Sequence, residues 1–245
     1  MKFSHALCSV CLLAAGVALA EPAAHPPQAQ TRIACLGEQT THSFHRENDP
    51  EYPFFLGETL DADFKIDAAK VHPNAGGFLE GGGTSYRIGN FGHPRGTVLD
   101  HALENPRSVL RSDELKLAEA FAPQVVILGP FGDHEPLTKV SMDGFTPDLR
   151  TLIERITLFS SHPVILVVLP LPQGGTDEDA NYRRIRDESA QVAREKKLPV
   201  IDLWTAFLGH KEYFTDATHL TVAGRRHLAK VVAEAITWWQ ASAGS

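Results

Sequence analysis

Gln124-Val125-Val126-Ile127-Leu128 is followed at once by Gly129-Pro130-Phe131-Gly132-Asp133-His134-Glu135. The first of these runs is almost continuous in valine, isoleucine and leucine, as in a strand buried on both faces of a parallel sheet. The second changes abruptly to glycine, proline and titratable side chains, as in a loop leaving the end of that strand. In an open parallel sheet, ligands bind just beyond the carboxyl ends of the strands. One short stretch thus points to a fold class and to the edge where chemistry belongs.

Working outward, similar apolar runs occur at residues 32–36, 86–91, 164–169 and 200–203. Between them lie segments with helical spacing. Residues 112–121 carry Leu115, Leu117, Ala118 and Phe121, and residues 148–159 carry Leu149, Leu152, Ile153 and Ile156. Residues 179–197 are largely charged, and residues 221–239 form an alanine-valine helix ending in Trp238-Trp239, expected to pack onto the protein's own sheet. Alternating strand and helix signals predict a three-layer α/β/α domain around a central parallel sheet of about five strands. No internal repeat or second composition regime interrupts it, so residues 31–245 read as a single domain. Eight of the 19 glycines fall between Gly76 and Gly96, and Gly81-Gly82-Gly83 reads as a surface loop.

The 245 residues carry a formal net charge of −7 with no long basic run, which argues against nucleic acid and anionic lipid as partners. Lys2, an apolar run over residues 6–19 and Ala18-Leu19-Ala20 ahead of Glu21-Pro22 have the layout of a secretory signal peptide. The run is shorter than the ~20 residues that span a bilayer, so no stable anchor is expected after cleavage. Cleavage after Ala20 leaves a mature chain of about 225 residues and a charge of about −8. The expected location is the periplasm or the exterior. Residues 21–30 read as a flexible lead-in. Cys35 is then the one remaining thiol; it sits in an apolar run and is expected to be buried and inert.

The loops after the strand signals hold Gly37-Glu38-Gln39-Thr40-Thr41-His42, Gly92-His93-Pro94-Arg95-Gly96-Thr97, and the 129–135 segment already quoted. Asp216-Ala217-Thr218-His219 precedes the last helix. An Asp-x-x-His turn can bring a carboxylate against an imidazole, orienting the ring as in hydrolytic triads. The plain alternative is a turn in which Thr218 caps the helix. Glu38, His42, His45, Asp133, His134, Glu135 and His219 offer imidazole and carboxylate groups of the kind that hold zinc or manganese, were they to converge. No His-Glu-x-x-His spacing supports that reading, and no metal or cofactor is expected. His93, Arg95 and His134 suit a substrate carboxylate or sugar hydroxyls.

These blocks, in their order, resemble the SGNH (GDSL-type) hydrolases. Residues 32–38 resemble the first block up to its acid, and Tyr52-Pro53 with Leu56 and Leu60 the helix that follows. Asn90-Phe91-Gly92 with Gly96-Thr97 resembles the second block, and 125–129 with Asp133 the third. Tyr213-Phe214-Thr215-Asp216-Ala217-Thr218-His219, with Gly224 beyond, resembles the last. The resemblance implies a flavodoxin-like fold and ester hydrolysis, with a small-molecule or glycan ester, such as an O-acetyl group, as substrate. It implies His219 as base, Asp216 as its partner, and Gly96 as the glycine donor to the oxyanion, with Gly92, Gly132, Asp133 and Glu38 as further oxyanion or substrate-binding residues. The family's nucleophilic serine is replaced by Gln39, whose amide cannot attack a carbonyl. Two alternatives follow: Thr40 attacks from one position further on, or Gln39 donates to the oxyanion while His219 activates water. A third is an inactive relative that binds a glycan or small ligand in the same cleft.

Overall fold

The computed structural model describes residues 30–42, 50–70, 80–100, 105–137 and 141–243. The expected signal peptide and His45 lie outside the described residues.

The strands are β1 (Thr31–Leu36), β2 (Lys65–Ile66), β3 (Glu80–Gly82), β4 (Tyr86–Asn90), β5 (Val125–Leu128), β6 (Val164–Val168) and β7 (Val200–Ile201). They form one sheet in the order β2-β3-β4-β1-β5-β6-β7. β4, β1, β5, β6 and β7 run parallel, as the apolar runs predict, in the flavodoxin-like order. These are the five parallel strands expected, and β2 and β3 extend the sheet antiparallel beside β4 to a total of seven.

That extension corrects the reading of the triple glycine as a loop, since Gly81 and Gly82 lie within β3. The cause is local crowding. A Cβ on Gly81 would meet the Phe64 ring, and one on Gly83 would meet the Asp61 side chain. The Asp61 carboxylate in turn accepts the amides of Ser85 (2.6 Å) and Tyr86 (2.9 Å), fixing the turn into β4. Glycine here serves close approach rather than flexibility.

Alternation along the parallel strands divides the core. Ala34, Leu36, Val126 and Leu128 face one layer, made by α2 (Asp113–Ala120), α3 (Phe145–Thr157) and α4 (Ala180–Lys196). Ile33, Cys35, Val125 and Ile127 face the other, made by α1 (Tyr52–Leu60), α5 (Leu203–Phe207) and α6 (Val222–Ala243). Cys35 is fully buried, and desolvation pushes its thiol up to about 12. Trp239 packs against this second layer, whereas Trp238 faces outward, because neighbours on a helix diverge by roughly 100°. Among the described residues, no helix is long and apolar enough to cross a membrane.

The helix starts are set by side-chain caps. Ser112 caps α2, Asp179 caps α4 and Asp202 caps α5. At α6 the cap is Thr221, whose hydroxyl accepts the Gly224 amide at 3.1 Å. Thr218, the alternative cap in the sequence, instead lies inside the preceding turn. That leaves the Asp216 turn free of the helix it precedes.

Candidate active site

The parallel strands deliver Glu38, Asp133 and Glu135 to the carboxyl edge of the sheet on the loops after β1 and β5. Glu38 is buried. It accepts the Asp133 amide at 2.8 Å and pairs with His134 Nδ1 at 3.1 Å. Glu135 is buried and accepts the Val98 amide at 2.9 Å, with further support from the amides of Gly132 and Glu135 itself. Burial is the main influence that raises all three groups, with smaller repulsion from Asp133 and Glu135 on Glu38, from Asp216 on Asp133 and from Asp133 on Glu135. Glu38 lies well above the ordinary carboxyl range, Asp133 rises to about 6 and Glu135 to about 7. The same burial, with Arg107 and Arg95 nearby, drives His134 down to about 4. Both members of the Glu38–His134 pair thus favour their neutral forms.

Asp133 has two further partners. Tyr182 donates its hydroxyl to Asp133 Oδ1 at 3.2 Å, and the Thr40 hydroxyl hydrogen-bonds the same carboxylate. Thr40 is buried, whereas Gln39 beside it is half-buried. Tyr182 escapes sequence reasoning because it carries no motif. Its position does hold a signal: it lies in the first turn of α4, which Asp179 caps, and helices begin at this edge of a parallel sheet.

The last block forms a self-contained turn. The Thr215 amide donates to the His219 carbonyl at 2.8 Å, and Phe214 bridges Leu220. Asp216 Oδ1 accepts the amides of Thr218 and His219, each at 2.9 Å. His219 Nδ1 lies 3.0 Å from Oδ1 and 2.9 Å from Oδ2 of Asp216. For Asp216, desolvation opposes ionisation, but the two amides and the imidazole outweigh it and hold the group down to about 2. An ionised carboxylate on Nδ1 fixes a proton there and leaves Nε2 as the accepting nitrogen, with more than half of the side chain exposed. The Gly174 amide reaches the Ala217 carbonyl at 2.7 Å and ties this turn to the loop after β6. His219 and Asp216 both act electrostatically on Asp133, which places the turn at the same end of the sheet as the acidic cluster.

The glycines proposed as oxyanion donors have internal partners. The Gly96 amide donates to His93 O at 2.8 Å, the Gly92 amide to Asn90 Oδ1 at 3.2 Å, and the Gly132 amide to Glu135. The amides of Gln39 and Thr40 carry no such bond among the described residues. Gly37 and Gly92 serve packing. A Cβ on Gly37 would strike Thr41 and the Gly129 carbonyl, and one on Gly92 would strike the His42 backbone.

Among the described residues, no group of three or more histidine, cysteine, aspartate or glutamate side chains is placed to hold a metal ion. His42 instead turns to the Gly92 carbonyl at 2.9 Å, and His93 to Glu114 at 2.9 Å.

The flavodoxin-like fold is shared with solved structures, among them a putative lipolytic protein of the G-D-S-L family from Desulfitobacterium hafniense DCB-2, with a TM-score of 0.60 and 17% identity over 84% of this chain and 99% of that one. The lipase/acylhydrolase from Enterococcus faecalis matches with a TM-score of 0.56 and 18% identity, over 84% of this chain and 95% of that one. An aryl esterase from M. smegmatis matches with a TM-score of 0.61 and 15% identity, over 85% and 99%. The acetyl xylan esterase AlAXEase matches with a TM-score of 0.57 and 17% identity, over 84% and 99%. No protein-family model and no curated protein matches the chain. The fold is therefore established through structure, while the reaction rests on the site.

Proposed function

We propose that the protein is an ester hydrolase in which His219, oriented by Asp216, acts as general base on water, with small acyl esters of carbohydrates as substrates. The observation that carries this reading is the bond from both Asp216 oxygens to His219 Nδ1, which leaves Nε2 accepting and open to solvent. An oriented base of this kind has no evident role in a purely structural turn. The AlAXEase name supports an O-acetyl carbohydrate as one substrate class.

In this mechanism His219 Nε2 takes a proton from water as its oxygen attacks the ester carbonyl carbon. The tetrahedral intermediate collapses, the bond to the alcohol oxygen breaks, and the imidazolium returns the proton to the departing alkoxide. The carboxylic acid product then releases its own proton to solvent. The unengaged amides of Gln39 and Thr40, together with the Gln39 side chain, supply donors for the oxyanion. Gln39 thus takes a binding role where a serine would take a covalent one. Thr40 suits nucleophilic attack less well, because its hydroxyl is buried and bonded to Asp133. The signal-peptide layout supports a location outside the cytoplasm for this reaction.

The test is hydrolysis of p-nitrophenyl acetate and of acetylated oligosaccharides by the wild type, His219→Ala and Thr40→Ala. The expected result is loss of activity in His219→Ala, persistence in Thr40→Ala, and no acyl-enzyme in rapid-quench mass spectrometry. A covalent adduct on Thr40 would move the reaction to that hydroxyl. An inactive wild type that binds oligosaccharide would identify a glycan-binding relative instead.

A further inference from the structure

We propose that the cleft is built for esters whose substrate carries an anionic group (a carboxylate, sulfate or phosphate) held by Arg95 and Arg107 beside His134. The inference rests on the hydrolase reading for the position of the ester, but it concerns a separate subsite. Three observations carry it.

The first is placement. Thr97, two residues after Arg95, donates its amide to the Arg107 carbonyl at 2.9 Å, and Val109 donates back to Thr97 at 3.0 Å. Thr97 and Ser108 thus form a parallel bridge that sets the Arg95 and Arg107 segments side by side. Val98 in turn donates to Glu135, the residue after His134. The loops after β4 and β5 are thereby joined, with both arginines on the His134 side. Both cations also contribute to suppressing protonation of His134, as does His219.

The second is the absence of partners. Most arginines of this acidic protein lie against carboxylates: Arg87, Arg111, Arg150, Arg184, Arg186 and Arg226 are examples. Neither Arg95 nor Arg107 forms a side-chain hydrogen bond or an ion pair among the described residues. Arg95 is exposed and Arg107 half-buried. The carboxyls of the acidic cluster, Glu38, Asp133 and Glu135, are engaged with backbone amides, His134, Tyr182 and Thr40 instead.

The third is backbone cost. His93-Pro94-Arg95-Gly96 closes a turn through the Gly96 amide and the His93 carbonyl at 2.8 Å, with Arg95 at a φ of 54°. Glycine or asparagine is favoured at that third position. A long side chain held in the left-handed region is a strained choice, and such strain concentrates at ligand sites. Two guanidinium forks carried on adjoining segments suit the oxygens of a carboxylate, sulfate or phosphate.

The test is calorimetric titration with glucuronate, glucose 6-sulfate, glucose 6-phosphate and uncharged glucose. The expected result is a wild type that binds at least one anionic sugar about tenfold or more tightly than glucose, with the preference falling as salt rises. Which of the three anions binds best identifies the source of the charge. Arg95→Gly combined with Arg107→Gln should abolish the preference, and glycine suits the Arg95 backbone, so the fold is retained. Arg194→Gln, which removes an exposed charge in the last turn of α4, should keep it. His219→Ala should also keep it, separating this subsite from the hydrolytic reading. Equal binding of glucose and the anions, no binding of any of them, or a preference surviving in the double variant would overturn the proposal. Anion preference without ester hydrolysis would leave this subsite standing and remove the hydrolase reading instead.

Discussion

Two carboxylate–imidazole pairs stand at the same end of this sheet, and burial makes opposites of them. Glu38 and His134 meet at 3.1 Å with side chains 2% and 14% exposed. Asp216 and His219 meet at 2.9 Å with side chains 57% and 56% exposed. In the first pair desolvation is the largest influence on both partners, and each is driven toward its neutral form. In the second, two backbone amides hold the carboxylate ionised in spite of desolvation. A neutral, enclosed pair fixes loop geometry, whereas an oriented, open imidazole can exchange protons with a substrate. Contact distance alone does not separate the two roles.

The sharpest way to break this comparison is to remove each imidazole in turn. His219→Ala should lower kcat/KM on an acetyl ester by about 10²- to 10⁴-fold, with its melting temperature close to that of the wild type. His134→Ala should do the reverse, changing stability more than turnover. Equal losses of activity in two folded variants would erase the division.

The carboxylates come next. Glu38→Ala leaves the buried amides of Asp133 and His134 without their acceptor, and should cost about 2–4 kcal/mol in urea unfolding. Glu38→Gln should cost no more than about 1 kcal/mol, because a neutral amide resembles the neutral carboxyl that burial favours. A glutamine variant as damaged as the alanine one would show that Glu38 is needed as an anion.

The pH dependence of stability follows from the same cluster. Asp133 at about 6 and Glu135 at about 7 bind protons more tightly when folded than the unfolded groups do near pH 4. Their contribution is complete below about pH 4 and is lost as pH rises through 6 and 7. Asp133→Asn should therefore gain on the wild type in melting temperature between pH 5 and pH 8. Parallel curves over that range would refute the buried-acid account. The smallest effect belongs to the exposed pair: Asp216→Asn should change stability by no more than about 0.5 kcal/mol while reducing activity.

The sequence carried the frame more clearly than the site. Val125–Leu128 and Val164–Val168 reveal themselves most clearly because strands covered on both faces must be apolar throughout. β2 and β3 stay hidden because exposed Lys65-Ile66 and glycine-rich Glu80–Gly82 carry no such pattern. Asp216 and His219 are legible because their contact is made within a local turn. The bonds from Tyr182 and Thr40 to Asp133 are not, since they depend on how α4 and two loops converge in space. The glycines after β4 and β5 show the same limit: a sequence marks where an amide stands but not which acceptor it meets.

The Asp216 turn has a further consequence. Its amide and carboxylate bonds close within residues 215–219, and the outside tie runs through the Ala217 carbonyl rather than through the imidazole. The imidazole is in effect part of a cassette whose aim is set by its own backbone. A change of side chain at position 39 would therefore impose no reorientation on His219, so one half of such a centre can change its chemistry while the other keeps its aim.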